Sequence, residues 1–500
     1  MRADNRLLRA TKAFINPISD PTLLVPYSLT TMSWQKAIAE PATEFPQTPL
    51  SIISGTIPQS LRGTLYRNGP ARLNRGKQRV GHWFDGDGAI LGINFAADGA
   101  TATYKYVKTA GYVAESKANK YLFPNYGMTA PGAFWNNATK SAKNSANTSV
   151  LALDDRLLAL WEGGVPYSLD LATLETIGTD SLHQTLNDLP FSAHPKVDAA
   201  TGEIFNFGIS PGKDNTLHLY KCDATGKMVL QKDFPLPGLP LIHDFVLAGD
   251  YLVFLLAPVR VNVIPVLLGR KAYSDAMEWK PKLGTQVWIF NHHDLSLVSQ
   301  GETDPWYQWH YTNGYVDRHD RIVIEFVRYE DFKTNQYLKE VATGNPDTVA
   351  KGTLWQATIE PQTAKVLEIK QLLDRHCEFP GTKPQEVGKP WRYTYLSTHR
   401  NSEVDIGKEL FTAIAKFDRE TGDISIADMG ANMYPSEPIY VSQPDDSESG
   451  WLLTVVYDGD RDISEVRIYS SDRLEEDPVC RLALPDVIPP DFHGTWKAES

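Results

Sequence analysis

The sequence predicts an all-β fold. Three observations carry the prediction: turn signals recur roughly every ten residues, short β-rich runs lie between them, and three histidines stand in near-identical settings ahead of such runs. Turns are marked by Asp98-Gly99, Asp154-Asp155, Thr201-Gly202, Thr225-Gly226, Gly249-Asp250, Thr421-Gly422 and Asp458-Gly459. Gly and Asp tolerate the backbone angles that tight turns need. Between them fall apolar runs at 157–160, 252–256, 287–290, 322–326, 452–457 and 466–469. Repeated short antiparallel strands of this kind suit a sandwich, a barrel or a propeller. A propeller accounts best for the histidines, because equivalent strands of successive blades meet at one axis and bring distant positions together.

The His-bearing units follow in chain order. Ser192-Ala193-His194-Pro195 precedes the run Ile204-Phe205-Asn206-Phe207, Ile242-His243-Asp244-Phe245 precedes Tyr251-Leu252-Val253-Phe254-Leu255, and Trp309-His310-Tyr311 precedes Ile322-Val323-Ile324-Glu325-Phe326. Each His is expected on one strand of a hairpin, as a recurring strand-turn-strand unit. The segment 437–484 reads as one or two further blades, and His493, in Phe492-His493-Gly494-Thr495-Trp496, closes the chain. Neutral imidazole suits Fe, Zn, Cu and Ni, whereas Mg and Ca prefer oxygen, so a site of four imidazoles argues against the hard ions. His82 precedes a turn and strand in the same way, and spacing alone does not separate ligands from bystanders. His183, His218, His292, His293, His319, His376 and His399 lack such a setting.

Composition bounds the rest. With 42% hydrophobic residues the chain can bury a large core, and its 35 Gly and 33 Pro are spread throughout, not pooled in a linker. The expected organisation is an N-terminal extension, residues 1–50, offering a membrane contact, followed by a single domain over residues 51–500. The formal charge of −12 disfavours nucleic acid as a partner. Three widely spaced cysteines, Cys222, Cys377 and Cys480, without a CxxC pair, favour a reducing compartment. The N-terminus lacks the apolar core and cleavage site of a signal peptide. A cytoplasmic location is expected.

The motifs in order carry a resemblance. Gly63-Thr64-Leu65-Tyr66-Arg67-Asn68-Gly69-Pro70, Phe84-Asp85-Gly86-Asp87-Gly88, Leu157-Leu158-Ala159-Leu160-Trp161-Glu162-Gly163-Gly164, Ser192-Ala193-His194-Pro195, Ile242-His243-Asp244-Phe245, Cys377-Glu378-Phe379-Pro380, Glu437-Pro438-Ile439 and His493-Gly494 resemble the carotenoid cleavage oxygenase family, most closely its cyanobacterial apocarotenoid oxygenases. The resemblance runs from about Ser54 to the C-terminus. It implies a seven-bladed β-propeller with a few helices and loops capping the active-site face, and one Fe(2+) on the axis held by His194, His243, His310 and His493. His82 falls in a family segment that holds no ligand. Glu162, Glu378 and Glu437 match glutamates that accept hydrogen bonds from ligand imidazoles, which fixes the tautomer and raises ligand basicity. A carboxylate among apolar neighbours, as in Leu160-Trp161-Glu162, is costly to bury without such a partner.

The implied activity is oxidative cleavage of one C=C bond of a carotenoid or apocarotenoid by O2 to two carbonyl products of the apocarotenal or retinal type. Four neutral ligands leave the iron its full charge and two open octahedral positions. Iron and O2 supply the chemistry, so no protein nucleophile, acid or base is demanded. Selectivity then falls to an apolar tunnel, for which Phe123, Tyr126, Phe134, Trp135, Tyr307 and Trp309 are candidates. Stilbene cleavage by the same family is the rival enzyme reading, but the Lys that the stilbene-cleaving branch places at Trp161 is absent. A non-catalytic propeller scaffold is the rival of another class, and would not need the seven His and Glu residues.

An insoluble polyene is met at a membrane. No run of 18 apolar residues exists to span one. The insertion Val261-Asn262-Val263-Ile264-Pro265-Val266-Leu267-Leu268, edged by Gly269-Arg270-Lys271, fits a peripheral membrane anchor with Val261, Val263, Ile264, Val266, Leu267 and Leu268 in contact. Leu7-Leu8-Arg9, Lys12, Phe14-Ile15 and Leu23-Leu24-Val25-Pro26 mix charge and apolarity similarly, with Pro17, Pro21 and Pro26 limiting any helix.

Overall fold

Antiparallel pairing between neighbours in sequence builds most of the structure. The computed structural model describes residues 32–132, 136, 140–401, 403–443 and 446–499. The N-terminal candidate anchor and the tunnel candidates Phe134 and Trp135 lie outside the described residues. The fold is all-β with a few short helices, among them Ala110–Ala118, Val263–Leu267 and Lys333–Val341.

Chain order largely gives sheet order. One four-stranded sheet runs from Ser149–Ala152 through Leu157–Leu160 and Tyr167–Leu169 to Thr176–Thr179, the next from Lys196–Val197 through Ile204–Ser210 and Thr216–Cys222 to Met228–Pro235. Eight strands follow as two antiparallel meanders. Val246–Ala248, Tyr251–Leu256, Thr285–Asn291 and Leu297–Thr303 form the first, Tyr311–Val316, Ile322–Arg328, Thr353–Glu360 and Lys365–Leu373 the second, and one parallel pairing, Ala248 with Gly314, joins them. Cys377–Gly381, Tyr393–Thr398, Ala413–Asp418 and Ile424–Asp428 make another sheet. The strands of segment 437–484 form a single sheet, to which Ser51–Gly55 and Met433–Pro435 add. Finally Gly63–Arg72 lies between Asp87–Ala96 and the last strand, His493–Ala498, so the start and end of the chain close in one sheet, with Asn68 opposite His493.

Burial explains which run became which strand. Ile322–Arg328 reads as a nearly unbroken apolar run because both of its faces are covered, whereas the edge strand Lys365–Leu373 exposes its charged residues. The cores sit between neighbouring sheets: Leu65, Leu91 and Ile93 meet Val455, Val466 and Ile468, and Phe245, Leu252 and Phe254 meet Phe205, Leu217 and Leu219. Each such side chain contributes about 1.5–3 kcal/mol of burial free energy. From Ser33 to Ser500 the chain clusters as one compact unit.

The histidines depart from expectation in one respect. His194, His243 and His310 lie in the segments just ahead of the strands beginning at Lys196, Val246 and Tyr311, not within strands, and only His493 begins one. Pro195 forces the first of these breaks, since it lacks the N–H a ladder needs.

Candidate metal centre

The short segments entering four different strands meet at one point. One ring nitrogen each of His194, His243, His310 and His493 lies within 4.8 Å of the other three, and all four residues are buried. The Nε2 atoms of His194 and His243 approach to 3.0 Å, and those of His243 and His310 to 3.1 Å. His310 Nδ1 pairs with Glu378 Oε2 at 2.5 Å, His493 Nδ1 with Glu437 Oε1 at 3.1 Å, and His243 Nδ1 faces the Glu162 carboxylate.

These carboxylates are themselves held. Burial disfavours the charge on Glu378, but His310, the Phe379 amide at 2.7 Å and the Tyr329 hydroxyl at 3.1 Å outweigh it and keep its pKa below the ordinary carboxylate value. Glu437 is likewise held low against burial by His493, with Arg67 Nη1 at 3.0 Å and the Gly494 amide at 2.9 Å. Arg67 is buried, and also binds Asp491 at 2.5 Å. Burial and the three neighbouring imidazoles push His194 well below the usual histidine range.

The carboxylates of Glu378 and Glu437 hold a ring proton at Nδ1 of His310 and His493, which turns the Nε2 atom of each toward the centre. The 3.1 Å approach of His243 and His310 suits a cation shared between their Nε2 atoms, either a metal ion or a proton on His310, whose pKa Glu378 raises against burial. Metal–nitrogen bonds of about 2.1 Å at right angles would span about 3.0 Å. The donor set therefore fits a transition metal that accepts imidazole, and the approaches match cis positions of an octahedron.

Two cavities lined largely by apolar side chains meet here. The larger, of about 370 Å³, runs from Trp161, Glu162 and His243 past Tyr126 and Leu241 to Val266, Lys271 and Tyr273. The smaller, of about 110 Å³, is lined by His243, His310 and His493 with Trp309, Phe379 and Phe411. Phe84, Thr148 and His243 border both. Of the sequence candidates for a tunnel, Tyr126 and Trp309 line the cavities; Tyr307 is packed behind Trp309, and Phe123 borders neither. Phe84 and Thr148 were missed. Phe84 had a signal in the Phe-Asp-Gly-Asp-Gly segment, whereas Thr148 has none, since chain folding alone carries it to the centre.

His82 is no part of the cluster: it is buried, and its Nδ1 accepts from the Phe84 amide at 3.2 Å to cap the turn Trp83–Asp85. The apolar insertion forms the helix Val263–Leu267 beside the larger cavity. Val263, Ile264, Leu267 and Leu268 are exposed, Ile264 by 66%. Val261 is a correction to the expected contact set, because it lies in the strand Val259–Val261, 8% exposed, packed with Leu239 and Ala276. Val266 is half-buried and lines the cavity. Among the described residues no helix is long and apolar enough to cross a membrane.

An all-β scaffold whose described residues bring four imidazoles together where two largely apolar cavities meet defines a candidate non-haem metalloenzyme with an apolar substrate. Residues 38–498 match the retinal pigment epithelial membrane protein family, and the chain belongs to that family. It is similar to the apocarotenoid-15,15'-oxygenase of Synechocystis sp., 33% identical over 89% of this chain and 92% of that one. Resveratrol cleavage oxygenase 1 of Aspergillus fumigatus is 25% identical, over 89% of this chain and 91% of the relative. The solved structure of a cobalt-substituted Synechocystis ACO aligns with a TM-score of 0.86 at 31% identity, covering 94% of this chain and 99% of that one.

Proposed function

We propose that the protein is a non-haem Fe(II) oxygenase that cleaves one C=C double bond of a carotenoid or apocarotenoid with O2, giving two carbonyl products of the apocarotenal or retinal type. The convergence of four imidazoles, three backed by carboxylates, where two apolar cavities meet carries this reading. The apocarotenoid-15,15'-oxygenase relative supports the substrate class.

On this reading His194, His243, His310 and His493 hold the iron. Bound there, Fe(II) supplies the centre at which O2 is activated toward an alkene. The chain's own residues do the rest. Glu162, Glu378 and Glu437 hold the Nδ1 protons, aim Nε2 inward and strengthen each imidazole as a donor. Phe84, Trp161, Trp309 and Phe379 line the path on either side of His243, exclude water and lay an extended polyene across the centre. Position along that path, not a side-chain acid or base, selects the bond.

The fold supports the same reading. Among the described residues, six sheets of four or more strands, one of them divided at its parallel pairing, supply seven meanders, in keeping with a seven-bladed propeller. Residues 51–500 form the catalytic unit, and residues 1–50 the extension, of which Phe45–Pro49 adds an edge strand. The exposed face of the helix Val263–Leu267, with Arg270 and Lys271 beyond it, docks on a membrane surface beside the larger cavity. The location is cytoplasmic and peripheral to that membrane.

The deciding experiment is chromatography with mass detection after the Fe(II)-loaded protein has been incubated under O2 with β-carotene and a series of shorter apocarotenals. Paired aldehyde or ketone fragments are expected, and their lengths identify the bond. Absence of fragments across the series, with iron verified in the protein, overturns the proposal.

A further inference from the structure

A second cluster of metal-binding side chains lies apart from the central one. Asp250 follows the strand Val246–Ala248, and His292 and His293 follow the strand Thr285–Asn291 of the same sheet. Neither histidine stands in a functional setting by sequence. His292 Nε2 and His293 Nε2 are 3.1 Å apart, and each lies 3.5 Å from the same oxygen, Asp250 Oδ1. A triangle with these sides has a centre about 2.0 Å from every corner, which is the bond length of Zn2+ to imidazole nitrogen and carboxylate oxygen.

The two turns are in register before any ion arrives. The His292 amide donates to the Asp250 carbonyl at 2.9 Å, and Tyr251 pairs with Asn291 in the ladder. His292 is fixed by stacking on Phe205, at 5.3 Å between ring centroids, whereas the side chains of His293 and Asp250 are 64% and 71% exposed. One anchored ligand and two solvent-facing ones leave room for water to complete the coordination.

We propose that Asp250, His292 and His293 form a second, peripheral site for a divalent transition cation of the Zn2+ type. Two imidazoles with one carboxylate select such an ion over Mg2+ or Ca2+. Coordination would pin the Gly249-Asp250 turn to the end of Thr285–Asn291, at the opposite end of Val246–Ala248 from His243. This site is the weaker of the two. His292 Nδ1 is buried without a hydrogen-bond partner, while His310 and His493 each have a carboxylate there. Such partners are worth about 10–100-fold in metal affinity.

The test is calorimetric titration of the iron-loaded protein with ZnCl2, paired with thermal melts. One equivalent of zinc is expected to bind and raise the melting temperature. His293→Ala and Asp250→Asn should each weaken that binding by at least about tenfold and remove the thermal shift, with turnover in the absence of zinc unchanged. Should the central cluster also take zinc, two equivalents bind and the variants remove one, so the sites are told apart. No zinc binding beyond the central cluster, or binding unchanged in both variants, overturns the proposal.

Discussion

At the residue scale, the centre depends on buried charges that are safe only in company. Glu378 keeps its negative charge through His310, Phe379 and Tyr329, and on the proposed reading it aims the His310 imidazole. Glu378→Gln retains shape and an acceptor but loses the charge. Iron affinity should fall about 10–100-fold, with turnover falling at limiting iron and the melting temperature little changed. Metal analysis after dialysis against graded chelator reads this directly, and unchanged affinity would remove Glu378 from its role. Arg67 behaves differently, because it stands between Glu437 and Asp491, and its removal strands two acids. Arg67→Met should cost about 3–5 kcal/mol of stability, measured by urea unfolding. The sequence displayed Arg67 and Asp491 as plainly as it displayed the histidines, yet nothing local announces a pair 424 positions apart. The imidazoles were legible because His recurs ahead of apolar runs and the family resemblance picks out four of them; an arginine's partners are set by the tertiary fold alone.

At the element scale, the helix Val263–Leu267 interrupts an ordered sequence of strands with only Val266 packed inward, leaving Val263, Ile264 and Leu267 exposed. None of its residues is buried, and Ile264 and Leu267 are 66% and 56% exposed. A folded protein gains nothing from them there, but a bilayer interface would gain about 1.5–3 kcal/mol for each side chain inserted. Ile264→Ser with Leu267→Ser should therefore reduce sedimentation with liposomes at least about tenfold and slow turnover of liposomal substrate, while turnover in detergent and the melting temperature hold. Equal losses in liposomes and detergent would mean the helix shapes the cavity instead. Strands at 157–160, 252–256 and 322–326 were readable because turn residues bracket apolar runs. The segments carrying His194, His243 and His310 were misread as strand, since the apolar residues around them mimic one. Those segments lie just outside the strands, and only single backbone bonds, such as Val327 N–H to the His310 carbonyl at 3.1 Å and Ser192 N–H to the Phe207 carbonyl at 2.8 Å, tie them to a neighbouring strand. Val261 was misassigned for a related reason: an apolar run shows hydrophobicity but not where its buried end stops.

At the scale of the whole molecule, the last strand pairs with Gly63–Arg72 near the start of the chain, so His493 reaches the centre only when the chain's end docks there. Folding and assembly of the centre are therefore coupled, and conditions that loosen the fold empty the site. Acid should do this steeply. His82 and His399 are buried, and burial lowers each from 6.5 to about 3, with His376 and Arg375 adding to the effect at His399. The unfolded chain takes up these protons as the pH falls below about 6.5, whereas the folded protein resists them until near 3. Both histidines thus contribute stability that drains away as the pH falls through 6.5 toward 3. Each proton costs up to about 1.4 kcal/mol per pH unit, and the unfolded histidine is half protonated at 6.5, so the pair removes roughly 3 kcal/mol between pH 6.5 and 5, a large share of the 5–15 kcal/mol typical of folded proteins. Urea unfolding of the iron-loaded protein at half-unit steps should show stability falling with a slope of at least two protons. His399→Phe tests the assignment. Both ring nitrogens of His399 are buried without a partner, and the Phe411 ring packs against it at a tilt, 5.2 Å between centroids, so phenylalanine fits the site without a polar penalty. The slope should drop by one proton and stability at pH 5 should rise; an unchanged slope would show that His399 does not carry this proton.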